Sequence, residues 1–209
     1  MNSQDKGKAA KERLLEHGAI LFAKNGFKGV SVREICDKAG TGNNMIHHYF
    51  GSKKGLYDSL IQQFTAEVFS VPVRVIQKEP STEAEFISRF ELFVEETLEA
   101  MISNRFLFVL VQNEAAMIDQ NPFVEYAASF ISFIEAAKKR GFVNDVIEPE
   151  MLTGFILDRL GNQVLHASTI KRNTGLDILD DATYRAKWLR ANLNLFLHGF
   201  IGSISKIDS

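Results

Sequence analysis

The feature that most constrains this chain is the recurrence of helix start and stop signals in a sequence where apolar and polar residues nowhere alternate over a sustained stretch. Ala10, Leu14, Gly18, Leu21 and Phe22 fall on one helical face, and Gly26 follows as the residue that accepts left-handed geometry past a helix end. Ser31-Val32-Arg33-Glu34 is a capping box, in which the Ser hydroxyl accepts from the third amide and Glu reaches back to the cap. It opens a short helix ending at Ala39-Gly40. A second short helix is expected from about Gly42 to Phe50, closed by Gly51, before Ser52 caps a long helix starting at Lys53. Two short helices joined at Ala39-Gly40-Thr41 match a helix-turn-helix. Helices this short are marginal alone, so Ile35, Ile46 and Phe50 are expected to turn inward with Phe22 and Phe27.

Beyond residue 60 one helix follows another. Pro72 is expected to kink or end the fourth. Thr82 with Glu85 forms another capping box ahead of Phe86, Phe90, Phe93 and Leu98. Further helices are expected from near Asn104, from Asn121-Pro122 to Gly141, from Pro149 to about Lys171, and from Asp180 or Asp181 to about Gly202. The expected fold class is all-α, with about nine helices.

Charge and composition narrow the function. The net charge of −2 hides an asymmetry: residues 1–60 carry ten Lys/Arg against six Asp/Glu, and the remainder fourteen against twenty. A basic head on an acidic body suits a polyanion partner for the head, and equally a solvated basic face. A single cysteine excludes an intrachain disulfide. The apolar run Phe106–Val111 is far short of a membrane span, and the polar N-terminus carries no signal-peptide core, so a cytoplasmic location without membrane association is expected. No His-Glu-x-x-His, Gly-x-Ser-x-Gly, Walker loop or Glu-x-x-His pattern occurs. Gly40-Thr41-Gly42 imitates half a dinucleotide fingerprint but has Met45 where the third glycine belongs. Cys36 reads as a core thiol. An enzyme, a cofactor and a metal site are therefore not expected.

The run Leu21-Phe22-Ala23-Lys24-Asn25-Gly26-Phe27-Lys28-Gly29-Val30-Ser31-Val32-Arg33-Glu34-Ile35, with Ala39-Gly40 and then His48-Tyr49-Phe50-Gly51-Ser52-Lys53-Lys54-Gly55-Leu56-Tyr57, closely resembles the N-terminal signature of the TetR family of bacterial transcriptional regulators. The resemblance covers roughly residues 8–60. It implies a DNA-binding helix-turn-helix domain over residues 1–52 and a helical effector-binding and dimerisation domain over 53–209. It also implies a homodimer gripping a near-palindromic operator in double-stranded DNA, most often as a repressor, with a small molecule in the body shifting the heads. Three positions depart from the family pattern: Gly42 replaces the usual Ser after the turn, His47 the usual aromatic, and Lys53-Lys54 the usual Lys-Glu. A helical small-molecule carrier or protein-interaction module whose head has lost specific DNA binding is the alternative, and Gly42 is the feature that favours it.

In such a head, Ser31, Gly42, Asn43, Asn44, Met45, His47, His48, Lys53 and Lys54 are the candidate DNA-binding residues. The first residues of the second helix reach base edges in the major groove. An Asn there can pair bidentately with adenine, Met45 can meet a thymine methyl, and the histidines and lysines suit phosphates. Asn43 and Asn44 acting only as helix caps, with solvated histidines, is the plain structural alternative. In the body, Phe86, Phe90, Phe93, Phe108, Gln112, Met117, Phe130 and Phe155 are candidates to wall a cavity for a largely apolar effector, although each Phe taken singly suits a core. Met151, Phe155, Leu189, Leu193, Phe196 and Phe200 form stripes on the last two long helices and are candidates for a four-helix dimer interface, with intramolecular packing as the alternative.

Overall fold

A computed structural model of the chain describes residues 3–113 and 122–200. Among them are ten α-helices and no strand: α1 (Ser3–Asn25), α2 (Val32–Ala39), α3 (Met45–Phe50), α4 (Lys53–Ile76), α5 (Glu83–Ser103), α6 (Arg105–Asn113), α7 (Pro122–Lys139), α8 (Pro149–Leu165), α9 (Ala167–Thr174) and α10 (Ala182–Phe200). The all-α class read from the sequence holds. Local chemistry explains most boundaries. Ser31 Oγ accepts from the Glu34 amide at 3.1 Å, Ser52 Oγ from the Gly55 amide at 3.0 Å, Thr82 Oγ1 from the Glu85 amide at 3.1 Å, and Asp181 Oδ1 from the Tyr184 amide at 2.9 Å. Glu85 reaches one residue further back than a capping box requires, accepting from the Ser81 amide at 2.8 Å.

Three expectations are corrected. Helix α4 continues through Pro72 to Ile76. Proline removes one backbone donor there, but Val68, Phe69 and Ile76 around it are buried, and that burial holds the helix together. Helix α3 begins at Met45 rather than Gly42, because the Met45 amide closes a tight turn onto the Gly42 carbonyl at 3.0 Å and the first α-type bond runs from His48 to Asn44 at 2.9 Å. The helix opened by Pro149 stops at Leu165. His166 leaves helical geometry and α9 follows, which raises the count from about nine to ten. Asn121, expected as a cap, lies outside the described residues.

The chain divides into two compact units. Residues 1–67 and 104–121 form the first, and residues 68–103 and 122–209 the second. In the first, α2, α3 and α6 all pack on α1. Its core contains Leu14, Phe22, Ile35, Ile46 and Leu56, with Leu107, Phe108, Leu110 and Val111 buried on α6. Phe27 and Phe50, expected inward, are half-buried. Phe27 joins Phe22 and Tyr57 in a ring cluster with centroids 5.1–5.7 Å apart. Arg13 on α1 donates to the Ala39 carbonyl at the end of α2, at 3.0 Å.

In the second unit α8 packs on α5, α7 and α9, and α10 packs on α5. A continuous aromatic ladder fills it, running Phe133, Phe86, Phe90, Phe130, Phe93, Tyr126, Phe69, Phe123. Inside the ladder the Tyr126 hydroxyl and Thr97 Oγ1 share a hydrogen bond, and burial pushes the phenol up, so the pair stays uncharged.

Asp177 organises the loop between α9 and α10. Its carboxylate accepts from the Leu179 and Asp180 amides at 3.0 and 3.2 Å and pairs with Lys171. The hydrogen bond from Lys171, chiefly, holds the Asp177 carboxyl below its ordinary range. A carboxyl lowered in the folded state adds stability that is complete above the unfolded value of 3.8 and fades as pH falls through the lowered value. Asp177→Asn is therefore expected to lower the melting temperature at pH 6, with the gap to wild type closing toward pH 3. A gap that stays constant across that range, measured by circular dichroism, would show that the charge contributes nothing.

Candidate nucleic-acid interface

The candidate site is assembled from short-range turns on the α1 platform. The α2–α3 turn leaves α2 through Gly40, whose left-handed φ of 62° carries the reversal. The Thr41 amide then donates to the Cys36 carbonyl at 2.9 Å, and the Cys36 thiol contacts the Asn43 carbonyl at 3.9 Å. Cys36 is buried and acts here as a structural thiol beneath the turn.

Gly42, Asn43 and Asn44 lie in that turn, exposed, rather than in the helix. Asn44 occupies the N-cap position of α3, yet its side chain makes no capping hydrogen bond. The capping alternative thus fails for Asn44, whose amide stays turned to solvent. Met45 is half-buried, and Ile46 beside it is completely buried against the platform. His47 and His48 are exposed on α3. The His47 ring shares a hydrogen bond through Nδ1 with the Gly51 carbonyl at 2.9 Å, while His48 stacks edge-on against Tyr49 at 4.8 Å. With the carbonyl as acceptor, His47 Nδ1 carries the proton and Nε2 is the free face of the ring.

The two lysines that open α4 differ. Lys54 is exposed and paired only with Asp58 one turn on, at 2.7 Å. A surface pair of this kind contributes about 0.5 kcal/mol and exchanges readily for another anion. Lys53 instead folds back onto the α1–α2 loop, donating to the Phe27 and Val30 carbonyls at 2.8 Å each. Ser31 caps α2, and its neighbour Arg33 is exposed and paired with Asp37. The structure therefore brings Gly42, Asn43, Asn44, His47, His48 and Lys54 to exposed positions of one unit and gives Lys53 internal partners. Sequence reasoning missed that Lys53 arrangement, because the partners lie 23 and 26 residues earlier and no local spacing reports them.

The candidate effector residues do not converge in one place. Phe86, Phe90, Phe93 and Phe130 belong to the ladder, Phe108 is buried in the first unit, Gln112 is exposed on α6, and Phe155 is exposed on α8. Met117 lies outside the described residues. The second unit does hold an open groove of about 430 Å³ lined by Val73, Ile76, Gln77, Ser129, Ser132 and Phe133. Phe133 is thus both the end of the ladder and a wall of the groove.

The candidate dimer residues separate by depth. Met151 and Phe155 on α8 are 75% and 61% exposed, whereas Leu189 and Phe196 on α10 are buried and Leu193 half-buried. Phe196 packs edge-on against Phe155 at 5.8 Å, and Arg159 donates to Asn192 at 2.8 Å, so α8 and α10 lie side by side. Leu195, not singled out from the sequence, is 72% exposed. Phe200 ends α10, and its side chain lies outside the described residues.

Residues 14–60, which hold this whole turn-and-helix arrangement, match the bacterial regulatory proteins of the tetR family. Over that stretch the chain is similar to the tetR family. It is 24% identical over 153 residues to the HTH-type transcriptional repressor KstR2 of Rhodococcus jostii, covering 69% of this chain and 73% of that protein. It is 23% identical to the transposon Tn10 TetC protein of Escherichia coli, covering 81% and 86%. The fold is shared with the ketosteroid transcriptional regulator KstR2 of Mycobacterium tuberculosis, at a TM-score of 0.73, 19% identity and 97% coverage of both chains. It is shared also with PfmR from Thermus thermophilus, at a TM-score of 0.69, 16% identity and coverage of 89% and 97%. TetR-family regulators bind DNA and act as dimers with small-molecule effectors. These relatives are transcriptional regulators rather than enzymes. No helix among the described residues is long and apolar enough to cross a membrane.

Proposed function

We propose that this chain is a tetR-family repressor that binds a near-palindromic operator as a homodimer and responds to a largely apolar small molecule. Residues 1–52, with Lys54 at the start of α4, take the DNA-facing role, and the rest of 53–209 the effector and dimerisation roles. The observation that carries the DNA reading is the α2–α3 turn, which presents Asn43 and Asn44 to solvent at the start of the recognition helix with Asn44 uncommitted to capping. His48 and Lys54 then suit phosphates on either side.

For the effector, the ladder and its groove supply flat apolar walls beside a few polar groups, the composition of a small-molecule site. The likeness to a ketosteroid regulator favours the same kind of ligand, a flat apolar molecule with one or two polar ends. For the dimer, Met151, Phe155 and Leu195 supply an exposed apolar surface on adjacent helices.

Selection of binding sites from random duplex DNA tests the reading. The wild type is expected to enrich a two-fold symmetric motif with half-sites a helical turn or a multiple apart. Asn43→Ala and Asn44→Ala are each expected to cost about 1–3 kcal/mol on that motif, about 5- to 150-fold in affinity, with non-specific binding nearly intact. Mutants that enrich the same motif with unchanged affinity would place specificity elsewhere, and a wild type that enriches nothing would favour the carrier reading.

A further inference from the structure

Resting on the DNA-binding reading, we propose that Lys53 is not a phosphate contact but a positioning residue, which fixes the loop that aims α2 and α3 at the operator. A lysine at the start of α4 in a basic head is naturally assigned to the DNA backbone. Its surroundings assign it otherwise. Two of the three N–H groups on its ammonium donate at 2.8 Å to the carbonyls of Phe27 and Val30, on the loop between α1 and α2. The same nitrogen sits 4.3 Å from the centroid of the Phe27 ring, a cation–π distance. Lys53 is only part-exposed, and the ring beneath it is packed on Phe22 and Tyr57. The ammonium is thus held by two carbonyls and a π-face away from a phosphate contact, and without that contact it releases none of the counterions condensed on DNA.

The tether acts at one particular place. Val30 is buried, and the next residue, Ser31, caps α2 through the Glu34 amide. Holding the Val30 carbonyl therefore fixes the entry point of α2. The end of α2 is set in turn by the Arg13 bond to Ala39 and by the Gly40 reversal into the recognition turn. Lys53 and Arg13 hold opposite ends of α2, and both reach their targets from outside it. Loss of the first frees α2 to swing about the second, carrying Asn43 and Asn44 out of register with base edges while leaving general attraction to phosphate in place.

Salt dependence and specificity, read together, separate this role from its competitors. Fluorescence anisotropy on full-length protein uses two 30-bp duplexes, one carrying the motif enriched by the wild type and one its scrambled sequence, over a potassium chloride series. For Lys54→Ala, an exposed cation, the slope of log affinity against log salt is expected to flatten by about 0.9, the value of one phosphate contact. For Lys53→Met the slope is expected to stay at the wild-type value, while the preference for motif over scrambled duplex falls at least about fivefold. Lys53→Arg, which restores donors, is expected to recover part of that preference. Should Lys53→Met fail to fold, Lys53→Gln takes its place in the same two readouts. A simple loss of folded protein would lower binding to both duplexes equally and leave the preference unchanged, and that result overturns the proposal. A slope flattened as in Lys54→Ala also overturns it and makes Lys53 a phosphate contact. A wild type that prefers no duplex overturns the DNA-binding reading and this one with it.

Discussion

On the proposed dimer interface of α8 and α10, replacing Leu195 with Glu is expected to yield monomers and lower operator affinity by at least about a hundredfold, because a monomer holds one half-site without the second. Leu195 is 72% exposed on α10 and lies beside a helix that carries Met151, at 75%, and Phe155, at 61%. A carboxylate at an exposed apolar position of the interface must be stripped of water when two copies meet and finds no partner in an apolar contact. The choice of residue matters. Phe196 is on the same helix but 2% exposed and packed on Phe155, so Phe196→Glu would bury a charge within one chain and unfold it rather than separate two. Sedimentation equilibrium reads the first outcome directly. A Leu195→Glu protein that sediments as an unchanged dimer would move the interface away from α8 and α10.

The second large effect belongs to the aromatic ladder. Phe93 is completely buried, stacked on Phe130 at 4.2 Å and on Tyr126 at 5.4 Å. Phe93→Ala removes a ring from the middle of the ladder and is expected to cost about 3–5 kcal/mol, since close-packed neighbours collapse only partly into the space. For a chain of this size that corresponds to a fall in melting temperature of roughly 6–20 °C. Calorimetry measures it, and a fall under about 3 °C would mean that the ladder rearranges freely. The result bears on function as well as stability. A ladder that tolerates the loss is soft enough to open for an effector, whereas one that does not confines binding to the groove at its Phe133 end.

What the sequence disclosed and what it hid divide by distance along the chain. Caps at Ser31, Ser52, Thr82 and Asp181 were legible because the bond each makes spans three residues and the residue types announce it. The helix-turn-helix was legible for the same reason. Three things were hidden. The exposure of Leu195 and the burial of Phe196 could not be read from a stripe, because both are apolar and adjacent, and only the helices packed around α10 decide which faces inward. Pro72 signalled a kink or an end, and packing carries the helix on through it. Lys53 signalled a phosphate partner, when the loop it holds lies more than twenty residues earlier. In each case local preference was a correct statement about an isolated segment, and long-range contact outweighed it. The start of α3 is a subtler case. Gly42 lacks the hydroxyl that would have capped a helix at that point, and the helix accordingly begins three residues later.

The first compact unit is built from two stretches of chain, with residues 68–103 running elsewhere in between. As the chain leaves the ribosome, α1, α2, α3 and the start of α4 are all available by residue 67, but the surface of α1 that receives α6 has no cover until Leu107, Phe108, Leu110 and Val111 have been added. For the whole of that interval a nascent head carries an open apolar face, vulnerable to wrong partners and to proteases. The head, in this architecture, is completed late in synthesis. A chain broken off after its recognition helix would carry every candidate base-reading residue and still lack part of the body of the domain that must hold them.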